Sequence, residues 1–329
     1  MNIKLILRKK LPEFNSIERV FLVLTPYLNC SITNLPYASR GLLNRIKNIF
    51  FILRYRSKLI HISGHDNYLL SFPFFKKSVL TIHDVEGIHK YEGIKALIFK
   101  KLWIDWPIKH ASQITTISNF SKREIHKILG DDIPIRVIPN PLSLEIEYKS
   151  KVFHTKKPRI LQIGTKQNKN LFRLIEAIKD IECQLIVIGV HEKKIELQLR
   201  NYNVDYKYRS QLSNAEMIKE YEKADLLAFV STYEGFGLPV IEAQAMGRVV
   251  LTSNVASMPE VAGEGALFVD PFSVKSIREG IERLINDVDL RKTLIDRGRE
   301  NVKRFEPKEI AKQYKAIYEE VEKLKSRRR

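Results

Sequence analysis

The chain is poor in the residues that staple a fold or cross a membrane. Only two of its 329 residues are cysteine, Cys30 and Cys183, and neither has a metal-ligating neighbour at short spacing. A disulfide framework is thereby excluded, and such usage suits a reducing compartment. No apolar run reaches the roughly 18 residues that span a bilayer. The opening Met1-Asn-Ile-Lys-Leu-Ile-Leu-Arg-Lys-Lys10 sets its basic residues after the apolar stretch, the reverse of a secretory signal, so a cytoplasmic location is expected. Metal-ligand clusters are equally scarce. The one Asp-x-Asp, Asp287-Val288-Asp289, falls between two helical stretches and far from any strand end, so neither a metal nor another cofactor is expected. Acidic residues are the last shortage, 38 against 56 Lys and Arg, and the resulting charge of +18 calls for an acidic partner: nucleic acid, anionic lipid or a phosphorylated substrate. No recognised DNA or RNA motif is present, which argues against nucleic acid.

What the chain does have is regular alternation, over a length that suits two domains. Ile3–Leu7, Lys58–Ile62, Ser78–Ile82, Gln113–Ile117 and Ile135–Ile138 are short apolar runs separated by helical stretches, the pattern of a parallel sheet covered on both faces. Asn15, with Glu18 three residues on, reads as a capping box that opens a helix from 16 to about 25. Lys149 to Pro158 is polar, basic and without hydrophobic period, and marks a boundary between domains 1–152 and 153–305. A second series of runs begins at Arg159–Gly164 and continues through Cys183–Val190, Val204–Tyr208, Asp225–Ser231, Val249–Thr252 and Ala266–Val269, with a capping box at Ser213-x-x-Glu216. From Phe305 the chain reads as one charged helix, 306–329, which carries no run of this kind. The fold class is therefore α/β, two Rossmann-like units in tandem. Ligands of such sheets lie at the carboxyl ends of the strands, which makes the cleft between the domains the expected site.

The most informative run is Ser231-Thr-Tyr-Glu-Gly-Phe-Gly-Leu-Pro-Val-Ile-Glu242, where Glu234 and Glu242 stand eight positions apart. A buried strand precedes it, and Pro239 suits the first turn of a helix. Gly235 and Gly237, around Phe236 and before Leu238, let the backbone approach a ligand and take positive φ, and the helix N-terminus is a positive pole suited to a diphosphate. Two carboxylates beside an anion site make sense when the ligand also brings hydroxyls, as a sugar nucleotide does. A second phosphate-directed element is Leu161-Gln-Ile-Gly164-Thr165-Lys166-Gln-Asn-Lys169-Asn170, a strand ending in Gly and followed by a helix. In the first domain, Ile82-His83-Asp84 closes an apolar strand. His83 suits proton traffic or hydrogen bonding near neutral pH, and Asp84 could fix its tautomer or hold an acceptor hydroxyl. After the next strand, Ser121 and Glu124 read as a capping box that starts a helix, with Ser118 facing the cleft. Ser253 to Gly263 forms a further loop after a strand, with Ser257 and Glu260 as candidate contacts to sugar or phosphate.

The run Glu234 to Glu242 resembles the Glu-x7-Glu signature of retaining GT-B glycosyltransferases of family 4, the glycogen-synthase-like group, and the resemblance extends over nearly the whole chain. It implies a two-domain enzyme that moves a hexose from a nucleoside-diphosphate sugar to a glycan or lipid-linked acceptor held by the first domain, with retention of configuration and without a metal. It also implies that the last helix crosses back onto the first domain. Lys169 matches the lysine that holds the donor diphosphate, and His83-Asp84 matches the family's His-Asp. Glu242 is expected on ribose hydroxyls, Glu234 on sugar hydroxyls near the reacting carbon, and His83 on the sugar or acceptor. Thr165 stands where the family often has Arg, with Lys166 beside it. The family's Gly-rich loop after the first strand is absent. Leu7-Arg8-Lys9-Lys10-Leu11-Pro12 stands there instead, and Arg8 to Lys10 are expected to take over part of its role. Base contacts are expected from Tyr206 to Leu212, Arg209 included. Envelope or exopolysaccharide assembly is the implied setting. The alternatives are a GT-B nucleotide-sugar epimerase and a basic nucleic-acid or membrane-binding scaffold without catalysis.

Charge is unevenly spread. Residues 1–128 carry 21 Lys and Arg against 8 Asp and Glu, most of the net charge of the chain. Arg40 to Lys58 holds six basic residues and no acidic one, with apolar positions 42, 43, 46, 49, 50 and 53 at helical spacing, which predicts an amphipathic basic helix. Leu97 to Trp106 adds Trp103 and Trp106 beside lysines, a composition favoured at a lipid interface. Peripheral binding to the anionic inner face of a membrane follows as an expectation.

Overall fold

The computed structural model describes residues 3–9, 16–85 and 93–324. The expected cap Asn15 and the basic Lys10 lie outside the described residues. The chain forms two compact units, one running to Ser143 and resuming at Glu306, the other Leu144–Phe305.

In the first unit β1 (Ile3–Leu7), β2 (Cys30–Asn34), β3 (Leu59–Ile62), β4 (Ser78–Ile82), β5 (Gln113–Thr116) and β6 (Ile135–Val137) form one parallel sheet in the order β2-β1-β3-β4-β5-β6. β3 and β4 are buried at every position, as strands covered on both faces must be. β2 went unpredicted. Its Cys-Ser-Ile-Thr-Asn is half polar and only partly buried, because an edge strand needs no continuous apolar run. Helix Asn119–Leu129 corrects a second expectation. Its cap is Ser118, whose hydroxyl accepts from the Ser121 amide at 3.0 Å, so Ser121 lies inside the first turn instead of before it. Helix Pro307–Lys323 belongs to this unit. It buries Tyr314 and Tyr318, and the Tyr318 hydroxyl lies 2.7 Å from His61 Nδ1, whose Nε2 lies 2.7 Å from the Thr81 hydroxyl.

The second unit has the parallel order β12-β11-β10-β7-β8-β9, with β7 (Arg159–Ile163), β8 (Gln184–Ile188), β9 (Asp205–Arg209), β10 (Leu226–Phe229), β11 (Val249–Ser253) and β12 (Leu267–Val269). β9 is an edge whose Asp205, Lys207 and Arg209 face solvent while Tyr206 and Tyr208 pack on the core, an alternation that keeps the edge soluble. The Ser213–Glu216 capping box is formed in full. Asp287 caps helix Val288–Val302 through the Leu290 amide at 2.8 Å. Each sheet reverses its strand order once, between β1 and β3 in the first unit and between β7 and β10 in the second, and such reversals open a crevice at the carboxyl ends of the strands.

Candidate functional site

β7 stops at Ile163 because Gly164 turns the chain with φ 92°. A Cβ at Gly164 would come within 2.8 Å of the Lys169 methylenes, so only glycine lets that side chain lie back across the strand end. A short turn, Gln167–Lys169, leads to Asn170, whose buried amide donates to the Val230 carbonyl at 3.0 Å and the Pro271 carbonyl at 2.6 Å and so ties the turn to the segments after β10 and β12. In consequence Lys169 Nζ donates to Glu234 Oε1 at 2.5 Å and lies 4.7 Å from the centre of the Phe229 ring. Asn168 Nδ2 adds bonds to the Tyr233 carbonyl at 2.8 Å and to Glu234 Oε1 at 3.3 Å.

The Glu234 loop is pinned from another side by Ser257, whose hydroxyl lies 2.8 Å from both the Glu234 and the Phe236 carbonyl oxygens. Ser257 is fully buried, and its hydroxyl positions the loop. The Phe236 side chain is buried edge-on against Phe305. Gly237 takes φ 106°, and a Cβ there would fall 2.5 Å from Met258 Cε. Helix Leu238–Met246 then begins with Pro239 in its first turn. A cation, a carboxylate and a helix N-terminus thus meet at the reversal of the second sheet.

Glu242 sits one turn into that helix and is only 2% exposed. The Tyr221 hydroxyl donates to its Oε2 at 2.7 Å. Thr165 is also buried and faces Gly189 at the end of β8, where a Cβ would meet its methyl at 2.8 Å. Lys166 is exposed at the start of the turn. Arg209, at the end of edge strand β9, has its Nε 3.7 Å from Glu220, which also binds Arg159; it is not joined to the Lys169 and Glu234 cluster.

In the first unit, His83 follows β4 and is 6% exposed. Its Nε2 lies 2.8 Å from the Ser63 carbonyl, an acceptor only, so Nε2 carries the proton and Nδ1 holds the lone pair. Burial, reinforced by the His65 charge, lowers its pKa to about 4, so the ring is neutral at physiological pH. The expectation that Asp84 fixes this tautomer is corrected: the Ser63 carbonyl does so, and Asp84 lies 4.0 Å from His65. Ser118 is buried, and its hydroxyl accepts from the Ser121 amide to cap the helix. Arg8, just beyond β1, is bound through two guanidinium nitrogens to the buried carboxylate of Glu18, with Nη2 to Oε2 at 3.0 Å.

Residues 145–301 match the family model described as Glycosyl transferases group 1, and residues 12–146 match Glycosyltransferase Family 4. Together they account for both units. The chain belongs to the group 1 glycosyltransferases. Curated relatives include the O-antigen chain mannosyltransferase RfbU of Salmonella typhimurium, 26% identical over 65% of this chain and 62% of that protein. The chain thus spans less than two thirds of the length of that relative. Among solved structures, a sucrose-phosphate synthase from Thermosynechococcus elongatus superposes with a TM-score of 0.79 at 19% identity, covering 98% of this chain and 99% of that one. Anabaena HepE in complex with UDP and glucose gives a TM-score of 0.78 at 15% identity, covering 96% and 99%. At these identities the structural likeness establishes the GT-B fold of this group 1 glycosyltransferase.

Four residues that support the site in this glycosyltransferase were missed from its sequence: Asn168, Asn170, Tyr221 and Glu18. Asn170 had the best chance of being found, since asparagine tolerates the left-handed conformation it takes here and stands just before an apolar helix. Tyr221 and Glu18 meet their partners only through tertiary packing.

Proposed function

We propose that this group 1 glycosyltransferase moves a hexose from a nucleoside-diphosphate sugar to a glycan or lipid-linked acceptor, with retention of anomeric configuration and no divalent ion. The observation that carries the reading is the contact of Lys169 with Glu234 at the end of β7, ahead of the Leu238–Met246 N-terminus. Lys169 turns from Glu234 to the leaving diphosphate, with Lys166, the backbone from Gly164 to Thr165 and the amides from Gly235 to Leu238 around it. Glu234, released from Lys169, takes sugar hydroxyls, and Glu242, oriented by Tyr221, takes ribose hydroxyls. Arg209 contributes on the base side. In the first unit, neutral His83 offers Nδ1 to a sugar or acceptor hydroxyl, with Asp84 and Arg8 close by at the carboxyl ends of the same sheet. Retention rests on the family resemblance. The O-antigen mannosyltransferase among the relatives supports work in polysaccharide assembly, and the UDP and glucose bound by HepE support a sugar nucleotide as donor. The family matches favour transfer over epimerisation or a non-catalytic scaffold.

The decisive measurement is donor turnover across a panel of uridine and guanosine diphosphate sugars, with and without EDTA, and with the product anomer read by NMR. At least one donor is expected to turn over, unaffected by EDTA. Inertness toward every donor, with or without acceptor extract, sinks the reading.

Peripheral attachment to an anionic bilayer at the cytoplasmic face belongs to the same proposal. No helix among the described residues is long and apolar enough to cross a membrane. Helix Leu42–Leu53, however, turns Leu42, Leu43 and Phe50 outward, at 69%, 73% and 69% exposure, beside its basic residues. Helix Gly93–Lys100 exposes Ile94, Leu97 and Ile98. Apolar side chains interleaved with cations match the chemistry of an anionic lipid surface, where each basic residue contributes roughly 1 kcal/mol. Liposome flotation should require anionic lipid, weaken with salt, and drop when Arg45, Lys47, Arg54 and Arg56 become Ser.

A further inference from the structure

The first unit contains a cavity of about 240 Å³ that the proposed chemistry has not used. It opens where β1 and β3 end, at the reversal of the first sheet, and its wall includes Arg8, Lys9, Arg40, Arg45, Asp66 and Trp103. Four cations therefore surround it. Arg8 is offset by Glu18, whereas Arg45 is held by other means: its Nε donates to the Ser39 carbonyl at 3.2 Å and its guanidinium lies over the Trp103 ring at 4.5 Å. A guanidinium fixed by an aromatic face and a carbonyl keeps its full charge and is ready to meet an anion.

Asp66 supplies a second, independent pointer. It is only 6% exposed, and its Oδ2 is buried without a hydrogen-bond partner among the described residues. An orphaned buried carboxyl oxygen carries a desolvation cost that a ligand hydroxyl would remove. The wall thus asks for a molecule that brings negative charge to its cations and a hydroxyl to Asp66. His65 lines the same cavity, and its ring lies 6.0 Å from that of His83. The cavity is also bordered by apolar surface, since Arg45 comes from the helix that exposes Leu42 and Leu43, and Phe99 in its wall comes from the helix that exposes Ile94, Leu97 and Ile98.

We infer that this cavity binds the sugar diphosphate portion of the acceptor, with Arg40, Arg45 and Lys9 on phosphate, Asp66 on a hydroxyl of the sugar, and the hydrocarbon chain leaving over the exposed helices. The inference rests on the transferase reading and narrows its acceptor to one that carries phosphate beside the sugar. A glycan without phosphate lacks the charge that the wall is built to receive.

Two acceptor probes separate the possibilities: N-acetylglucosamine joined through a diphosphate to geraniol, and the same sugar as an octyl glycoside. Binding is measured by titration calorimetry in detergent-free buffer, without donor, so that the result does not depend on turnover. The diphosphate probe should bind the wild-type protein at least about tenfold more tightly, and Arg40→Ala and Arg45→Gln should each erase about tenfold of that preference, as loss of a charge-assisted contact does. Arg40 is exposed, so Arg40→Ala is not expected to disturb folding, and Arg40→Lys should restore part of the preference. Geranyl diphosphate without sugar tests Asp66: Asp66→Asn should weaken the sugar-bearing probe more than this one. Equal affinity of wild type for the two sugar probes overturns the inference, and so does a loss of nucleoside diphosphate affinity in Arg40→Ala as large as the loss for the acceptor probe, which would assign these cations to the donor. If the diphosphate probe binds as expected while every sugar nucleotide is inert, the cavity stands and the transferase reading falls.

Discussion

The chain leaves β7 and β1 at matching places, each beside the strand where its sheet reverses, yet the two crevices are made of different material. After β7 the chain uses backbone and short polar contacts. Gly164 and Gly237 clear space, Asn168, Asn170 and Ser257 bind carbonyls, and the one cation in the cluster, Lys169, is already matched by Glu234. After β1 the crevice is lined by long cationic side chains and a buried acid with one oxygen unpaired among the described residues, beside exposed apolar surface. In the proposed reading the backbone of the first site is held in place before a ligand arrives and only the Lys169–Glu234 pair must part, which suits a donor whose diphosphate always has the same shape. The second relies on charge and surface, which tolerate variation in the partner. On the proposed reading, the difference teaches that the two halves would recognise their ligands with different parts of the side-chain repertoire.

The contrast is broken most strongly at Lys169. Replacing it with Ala should cost about 2 to 4 kcal/mol in the transition state, read as kcat under saturating donor, because a charge-assisted contact to the leaving group is lost. Lys166→Ala should lose far less. Equal small losses in the two variants would show that the diphosphate is held elsewhere. Glu242→Gln is a smaller perturbation, since the amide keeps its size and can still accept from Tyr221. Affinity for the product nucleoside diphosphate should nevertheless fall by about 1.5 to 3 kcal/mol in calorimetry, the range for hydrogen bonds to a charged group. An unchanged affinity in the folded variant would remove ribose binding from Glu242.

The smallest effect is expected in acid. Burial lowers His61 to about 3 and His83 to about 4, both in the first unit. Their folded pKa values lie below the unfolded value of about 6.5, so between these limits the unfolded chain binds more protons and stability must fall as pH falls. Thermal unfolding followed from pH 7 to 4 should show a declining midpoint, partly relieved in His61→Gln. A midpoint independent of pH over that interval would contradict the burial of both rings.

Most strands of the two sheets were legible because buried parallel strands are rich in apolar residues. Leu226–Phe229, for example, can be read from four residues alone. Gly237 and Pro239 were legible for a related reason, since their backbone requirements are properties of single residues. What escaped was relational. β2 is too polar to announce itself, and its place is fixed by pairing with β1. The tautomer of His83 depends on Ser63, twenty positions away, and the orientation of Glu242 depends on Tyr221 in another helix. Ser118 and Ser121 offer the same side chain three residues apart, and only the path of the backbone chooses between them as cap.

Helix Pro307–Lys323 places Tyr314 and Tyr318 against His61 and Thr81, although the whole second unit intervenes in sequence. During synthesis the first six strands therefore emerge from the ribosome long before the segment that covers them. The second unit is continuous and can close as soon as its own residues are available, while the earlier half waits with a polar, aromatic-lined face uncovered. Nascent chains of this protein should thus mature from the middle outward, and a chaperone that shields incomplete sheets would find its longest opportunity on the half that is made first.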